Sequence, residues 1–346
     1  MGIKMSERRL IAYCSTANLK QITKEDAERL HSIHVAFGVI QNGKIYISGE
    51  NIFSELKRVR RLNPNIRLVL SVGGWGADGF SQAASNYETR RRLVQSGVEL
   101  IHTLDLDGID IDWEYPCCEI AGIHADAADK ENYTLLLKQF REALDAFSSY
   151  KILSIAAGAE SYFLESTRMD QAEQYLDYVQ LMTYDFRGSM RTLTGHHANL
   201  CSYEDVSEAS ADRSVQIFCE AGVPRRKLVL GAAFYGRRWY GVKDSSEKHG
   251  LGCEAESAGS TFLGYGQIEA MLNDFGHAYR KYHDERAQAA WLYNGESFIS
   301  YEDAHALELK AHYTRENGLY GLMYWEYGLD ETHTLTKLLY DAIQEP

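Results

Sequence analysis

The sequence predicts an α/β protein: a closed (β/α)8 barrel of the TIM type, with a small α+β insertion between strands seven and eight. Two observations carry this. Short apolar segments alternate with longer amphipathic ones along the 346 residues, the order that builds a parallel sheet from βαβ units. No G-x-G-x-x-G follows the first apolar segment, which weakens the competing doubly wound sheet. The run GLGCEA (250–255) does not follow a strand in the required way.

The elements follow in order. RLIAYCS (9–15) and HSIHVAFGVI (31–40) read as strands one and two, and NIFSELKRVRRLNP (51–64) has helical spacing that ends at Pro64. RLVLSVGGWG (67–76) is strand three, stopped by glycines. SNYETRRRLVQSGVELIHTL (85–104) is an amphipathic helix with Ser85 as its candidate N-cap. LDGIDIDWEYP is strand four, ADKENYTLLLKQFREALDAF (128–147) a helix, KILSIAAGA (151–159) strand five and YVQLMTYDF (178–186) strand six. ADRSVQIFCEAG (211–222) is a helix closed by glycine, KLVLGAAFYGR (227–237) strand seven and GLYGLMYWEYG (318–328) strand eight.

One interval breaks the rhythm. Strands seven and eight lie about eighty residues apart, far more than one crossover helix needs. EDAHALELKAHYTREN (302–317) can supply that helix. The barrel is therefore assigned to 1–239 and 301–346. The insertion is assigned to 240–300, with a strand-like WLYNGESFISY and a helix-like GQIEAMLNDF. Coming after a strand, it would rise from the C-terminal rim, where barrel active sites lie.

Composition narrows the function. The net charge of −13 argues against nucleic acid or an anionic membrane as partner, since phosphate binding needs clusters of Lys and Arg. No apolar run reaches the ~18 residues that span a bilayer. The first residues lack the apolar core of a secretory leader. The sequence as it stands thus predicts a cytoplasmic protein, or a secreted one if a leader has been removed. Six cysteines form no C-x-x-C pair, so a zinc ribbon or thioredoxin motif is not expected. Cys14 and Cys219 sit in apolar contexts and read as buried thiols, while Cys117–Cys118 has no assigned role.

The chemistry concentrates in strand four. Ile109, Ile111 and Trp113 alternate with Asp110, Asp112 and Glu114, so one face is apolar and the other carries three carboxyls. At a rise of about 3.3 Å per residue, neighbours on that face stand roughly 7 Å apart. Three readings fit: a solvated acidic edge, a divalent-metal site, or carboxyls forced to share protons so that one remains a general acid. On a barrel strand with these side chains inward, Asp110 lies deepest and Glu114 nearest the rim.

The segment DGIDIDWE (107–114) matches D-x-x-D-x-D-x-E and resembles the signature of glycoside hydrolase family 18, the chitinases and their relatives. SVGG (71–74), QLMTYDF (180–186), AAFYGR (232–237) and Trp325 resemble its other strand motifs in order, and 240–300 resembles the chitinase insertion domain. The resemblance implies hydrolysis of β-1,4-linked N-acetylglucosamine, without cofactor or metal, by a monomer that binds N-acetylglucosamine oligosaccharides. The substrate's own 2-acetamido oxygen attacks C1, an exception among glycosidases. It implies Glu114 as acid and then base, with Asp112 on the acetamido N–H and Asp110 below. Tyr184 donates to the acetamido oxygen, and Asp185 contacts the distorted sugar and tunes Glu114. Trp325 floors the pocket, lined by Tyr13, Phe37, Met182, Tyr235 and Arg237. Trp75 and Trp239 are candidates for outer subsites. Asp107 reads as structural, Ser71 as a partner of the deep aspartate, and His196 and His197 as loop residues without a metal. A peptidoglycan or spore-wall N-acetylglucosaminidase, an endo-acting glycoprotein deglycosylase and a non-catalytic chitin-binding lectin are the alternatives. The lectins of this type lose the acid that Glu114 retains.

Overall fold

The computed structural model describes residues 9–203, 209–244, 248–274, 276 and 278–345. Its eight barrel strands are Arg9–Ser15, Ser32–Gln41, Arg67–Gly73, Gly108–Asp112, Ile152–Gly158, Tyr178–Met182, Leu228–Ala233 and Gly321–Trp325. All run parallel. Strand one pairs with both strand eight and strand two, which closes the ring. Lys44–Ile47 adds an antiparallel hairpin partner to strand two.

The alternation in strand four sorts its residues as its period requires. Ile109 and Ile111 are fully buried in the layer between the barrel and its helices. Trp113 stacks on Phe80 at 5.2 Å and meets Tyr133 edge-on at 5.8 Å. Asp107 anchors the strand's start: it pairs with Arg60 and Arg67 and accepts from the Leu68 N–H at 2.9 Å.

Several boundaries differ from expectation. The helix Tyr87–Thr103 is capped by Asn86, with Thr89 completing a capping box, not by Ser85. Ser85 keeps helical angles as it closes the preceding short helix, whereas a cap must be extended, as Asn86 is. Ladder pairing of strands four and six stops at Asp112 and Met182, so Glu114, Tyr184 and Asp185 stand on the rim just beyond. The expected strand seven is two strands. Leu228–Ala233 stays in the barrel, and Tyr235–Trp239 joins a second, antiparallel sheet of five strands with Thr261–Gly264, Phe298–Tyr301, Ala289–Tyr293 and Arg280–Asp284. Phe234 makes the corner: its N–H donates to Trp325 on strand eight at 2.8 Å, and its ring stacks on Tyr324 at 4.1 Å. By sheet membership the insertion takes in 235–239 and Tyr301 as well as 240–300.

Trp239 is fully buried, which removes it from the outer-subsite candidates. Its indole packs edge-on against Phe298 at 5.7 Å and donates to the Arg191 carbonyl at 2.9 Å. Cys219 is half-buried rather than buried, at the last turn of the helix Ala211–Glu220. All six cysteines are free thiols. Among the described residues no helix is long and apolar enough to cross a membrane.

Candidate active site

Strand register builds the site from below. Asp110 lies level with Ser71 on strand three and Ser154 on strand five. Both hydroxyls donate to it, at 2.8 and 2.7 Å. Tyr13 donates at 2.9 Å and the Gln180 amide at 3.1 Å. The His34 ring lies 3.5 Å away. Burial pushes the Asp110 pKa up, but the His34 ring and the hydroxyl donors outweigh it and hold the carboxyl below its ordinary value.

Asp112, one step up the same face, is in the opposite condition. It is buried, and its Oδ1 has no hydrogen-bond partner. Burial, then the charges of Glu114 and Asp110, push its pKa well above the usual carboxylate range. Glu114 is half-buried beyond the last paired residue. Burial lifts it to about 7; the Tyr115 hydroxyl opposes the rise and the charge of Asp185 adds to it.

The S-x-G-G motif lets strand three approach this column. Gly73 has φ +122°, and a Cβ there would meet the Asp112 carbonyl oxygen at 1.9 Å. Gly74 donates its N–H to that same oxygen at 2.9 Å. No other residue type fits at 73 without moving Asp112.

Asp185 lies across from Glu114 on the rim beyond strand six, with 39% of its side chain exposed. Its left-handed backbone, φ 61°, is one that aspartate tolerates better than most residues. Arg237 grips it with two nitrogens, at 2.6 and 2.7 Å, and Tyr235 donates to it at 2.9 Å. The His197 ring stands 3.8 Å away. Burial pulls its pKa up, yet His197 and Arg237 prevail and hold it well below the usual range. A buried ion pair supports this corner. Lys310 contacts Glu302 at 2.9 Å and the Thr183 and Gly231 carbonyls at 3.1 and 2.8 Å. Glu302 accepts from the Ala233 N–H at 2.6 Å. The ends of strands six and seven are thereby tied together.

The aromatic residues divide into wall and support. Trp325 is half-buried, stacked with Phe37 at 5.3 Å. Met182 and Tyr184 pack on the same cluster. The Tyr184 hydroxyl meets the Met323 thioether at 3.9 Å, and burial, with the charges of Asp112 and Glu114, keeps it protonated. Trp75 is exposed at 57% on the rim, edge-on to Tyr115 at 6.3 Å. Tyr13 and Tyr235, expected on the pocket wall, are each 2% exposed. Their hydroxyls go to Asp110 and Asp185, so they orient the acids from behind. Arg237, expected to touch substrate, has its fork on Asp185.

Sequence reasoning missed His34, Ser154, Gln180 as a ligand of Asp110, and His197. The first three share one signal: each is a polar residue set between apolar neighbours in a barrel strand, on the face that points inward. Among the described residues no three His, Cys, Asp or Glu side chains cluster as a metal site, and His196 pairs with Asp284 at 3.2 Å.

The family model for glycosyl hydrolases family 18 matches residues 9–330. Chitinase A1 of Niallia circulans is 32% identical over 347 residues, covering 90% of this chain and 49% of that protein. The chain thus spans about half the length of that relative. The solved structure of a glycoside hydrolase family 18 N-acetylglucosaminidase from Paenibacillus barengoltzii superposes with a TM-score of 0.93 at 40% identity, covering 97% of this chain and 99% of that one. Chitinase ChiW from Paenibacillus sp. str. FPU-7 gives a TM-score of 0.90 at 34% identity, covering 98% of this chain and 43% of that one. With its barrel matched from the first strand to the last, the chain belongs to the glycosyl hydrolases family 18.

Proposed function

We infer that the chain hydrolyses β-1,4 linkages of N-acetylglucosamine, in chitin or chito-oligosaccharides, by a substrate-assisted mechanism that retains configuration. The observation that carries this is the lack of a free carboxylate nucleophile beside the acid. Asp185 is held by the Arg237 fork and Tyr235. Asp112 is buried with its pKa raised, a poor nucleophile at neutral pH. What the pocket offers instead is a cradle for an amide: the unpartnered Asp112 Oδ1 as acceptor and the Tyr184 hydroxyl as donor.

The steps follow from these states. Glu114, with a pKa of about 7, starts protonated in a large fraction of molecules and gives its proton to the glycosidic oxygen. The C1–O bond breaks as the acetamido oxygen bonds to C1, forming an oxazolinium ion. Asp112 accepts from the acetamido N–H through its unpartnered Oδ1; Tyr184 donates to the acetamido oxygen and aligns it. The Glu114 carboxylate then takes a proton from water, which attacks C1 and opens the ring. Two inversions give net retention. A neutral sugar chain agrees with the net charge of −13.

A thiazoline analogue of the cyclic ion tests this. It should inhibit competitively, and a chitobiose reporter stripped of its acetyl groups should not turn over. Equal cleavage of the deacetylated reporter would overturn the mechanism. The 40% identity to the Paenibacillus barengoltzii N-acetylglucosaminidase favours a second reading, release of single N-acetylglucosamine units. Mass spectrometry of products from defined oligomers separates the two: monomers alone for that reading, dimers and longer products for a chitinase.

A further inference from the structure

We propose that His34 is a positioning residue for this reaction: it holds Asp110 as a carboxylate at the base of the barrel and so keeps the mobile proton of the acid column on Asp112, next to the substrate. The proposal rests on the hydrolytic reading of the site.

His34 is fully buried on strand two, in register with Tyr13 on strand one and Val69 on strand three. Its ring is fixed at both ends. Nε2 lies 3.0 Å from the Tyr178 hydroxyl, and Nδ1 lies 3.5 Å from Asp110 Oδ2. The titratable groups around it are Asp110 on strand four, Tyr13 on strand one, Tyr178 on strand six, and His31 just before its own strand. Asp112 is the next carboxyl up.

Counting hydrogens decides which way Nδ1 acts. The Gln180 amide nitrogen also lies near it, at 3.3 Å. That nitrogen has two hydrogens. One goes to the Tyr13 hydroxyl at 2.7 Å and the other to Asp110 Oδ1 at 3.1 Å. Tyr13 in turn donates its own hydrogen to Asp110. Flipping the amide would set its oxygen against the carboxylate, so the orientation is fixed. No hydrogen is left for His34 Nδ1, which therefore carries its own and points it at Asp110 Oδ2. Asp110 then faces donors only: Tyr13, Ser71 and His34 at Oδ2, Ser154 and Gln180 at Oδ1. A proton arriving there would have to displace one of them.

The consequence is directional. The column holds a proton that must sit near Glu114 to be useful. With its base kept anionic, that proton stays on Asp112. Replace the ring with a neutral amide and Asp110 accepts a proton more readily, so its ionisation is lost at a higher pH as the solution is acidified.

The test is the pH profile of kcat/KM on a chromogenic chitobioside for the parent, His34→Asn and Tyr178→Phe. In His34→Asn the acid limb should move up by about one pH unit, the effect of losing a ring that donates to the charged form, with kcat falling more than KM changes. Tyr178→Phe keeps the ring but frees one end, and should shift the limb the same way by less. An acid limb that stays in place while activity and melting temperature fall would mean His34 only fills space, and would overturn the proposal. A ¹³C carboxyl titration, with the Asp110 signal assigned by its loss in Asp110→Asn, decides the same point without turnover. The Asp110 midpoint should rise in His34→Asn, or in Tyr178→Phe if His34→Asn does not fold; an unchanged midpoint overturns the proposal. A parent chain inert on every chitobioside would instead remove the hydrolytic reading, and the titration would still decide His34.

Discussion

Asp110 and Asp112 sit two residues apart on one strand, both buried, and differ in almost everything else. Asp110 receives hydroxyl and amide donors from four other strands, with the His34 ring on a fifth, and is held ionised. Asp112 has an oxygen with no partner and is pushed toward its neutral form. Burial acts on both in the same direction, so burial does not separate them. Partners do. The lower half of the column is a closed polar network of the kind that fixes geometry. The upper half is left short of partners, as a site must be if a substrate is to complete it.

The largest effect expected from this difference is at the top. Glu114→Gln keeps the shape and removes the transferable proton, so kcat should fall by about 10³ with KM little changed, the span ascribed to general acid–base catalysis. Steady-state kinetics on a chitobiose reporter reads this directly. The same substitution should raise stability, with a definite pH sign. A carboxyl whose folded pKa is raised from 4.5 to about 7 costs nothing below the lower value. The cost grows as pH climbs between them and is complete above. Glu114→Gln should therefore melt with the parent at pH 4 and above it at pH 8, as scanning calorimetry would show. A variant less stable than the parent at pH 8 would mean Glu114 is not an uncompensated group.

A smaller effect links the top to its neighbour across the mouth. The charge of Asp185 helps raise Glu114. Asp185→Asn removes that charge, which lowers the Glu114 pKa. The basic limb of the kcat/KM profile should move down by about one pH unit. A limb that stays near pH 7 would detach Asp185 from the acid's tuning.

Much of this contrast was legible in the sequence, and the part that was not has a physical cause. Alternation in IDIDWE announced three inward carboxyls because period two is local information. Which of them would be saturated depended on Ser71, Ser154, Gln180 and His34, which come from four different strands and meet only once the barrel closes. A lone Ser in ILSIAAG marks an inward polar group but not its partner. The same limit explains Tyr13 and Tyr235: the acids that claim their hydroxyls lie 97 and 50 residues away along the chain. Trp239 misled for a related reason. A tryptophan at a strand end reads as a rim residue until a second sheet forms around it.

The smallest effect tests the base. Ser154 gives Asp110 the shortest of its hydrogen bonds, 2.7 Å, in a fully buried place. Ser154→Ala removes one donor of several, and four contacts remain to hold the carboxylate. Stability should drop by about 1.5–3 kcal/mol, the range for a hydrogen bond to a charged group, while kcat/KM falls only a few-fold. Denaturant titration and kinetics on one preparation measure both. Ser71→Ala should behave alike, because register places the two hydroxyls level on either side of the carboxylate. The double variant should lose more than the sum, since the second removal acts on a carboxylate already short of donors. If Ser154→Ala alone cost as much activity as Glu114→Gln, the lower half of the column would not be a redundant network, and its single hydroxyl would have to take part in moving the proton.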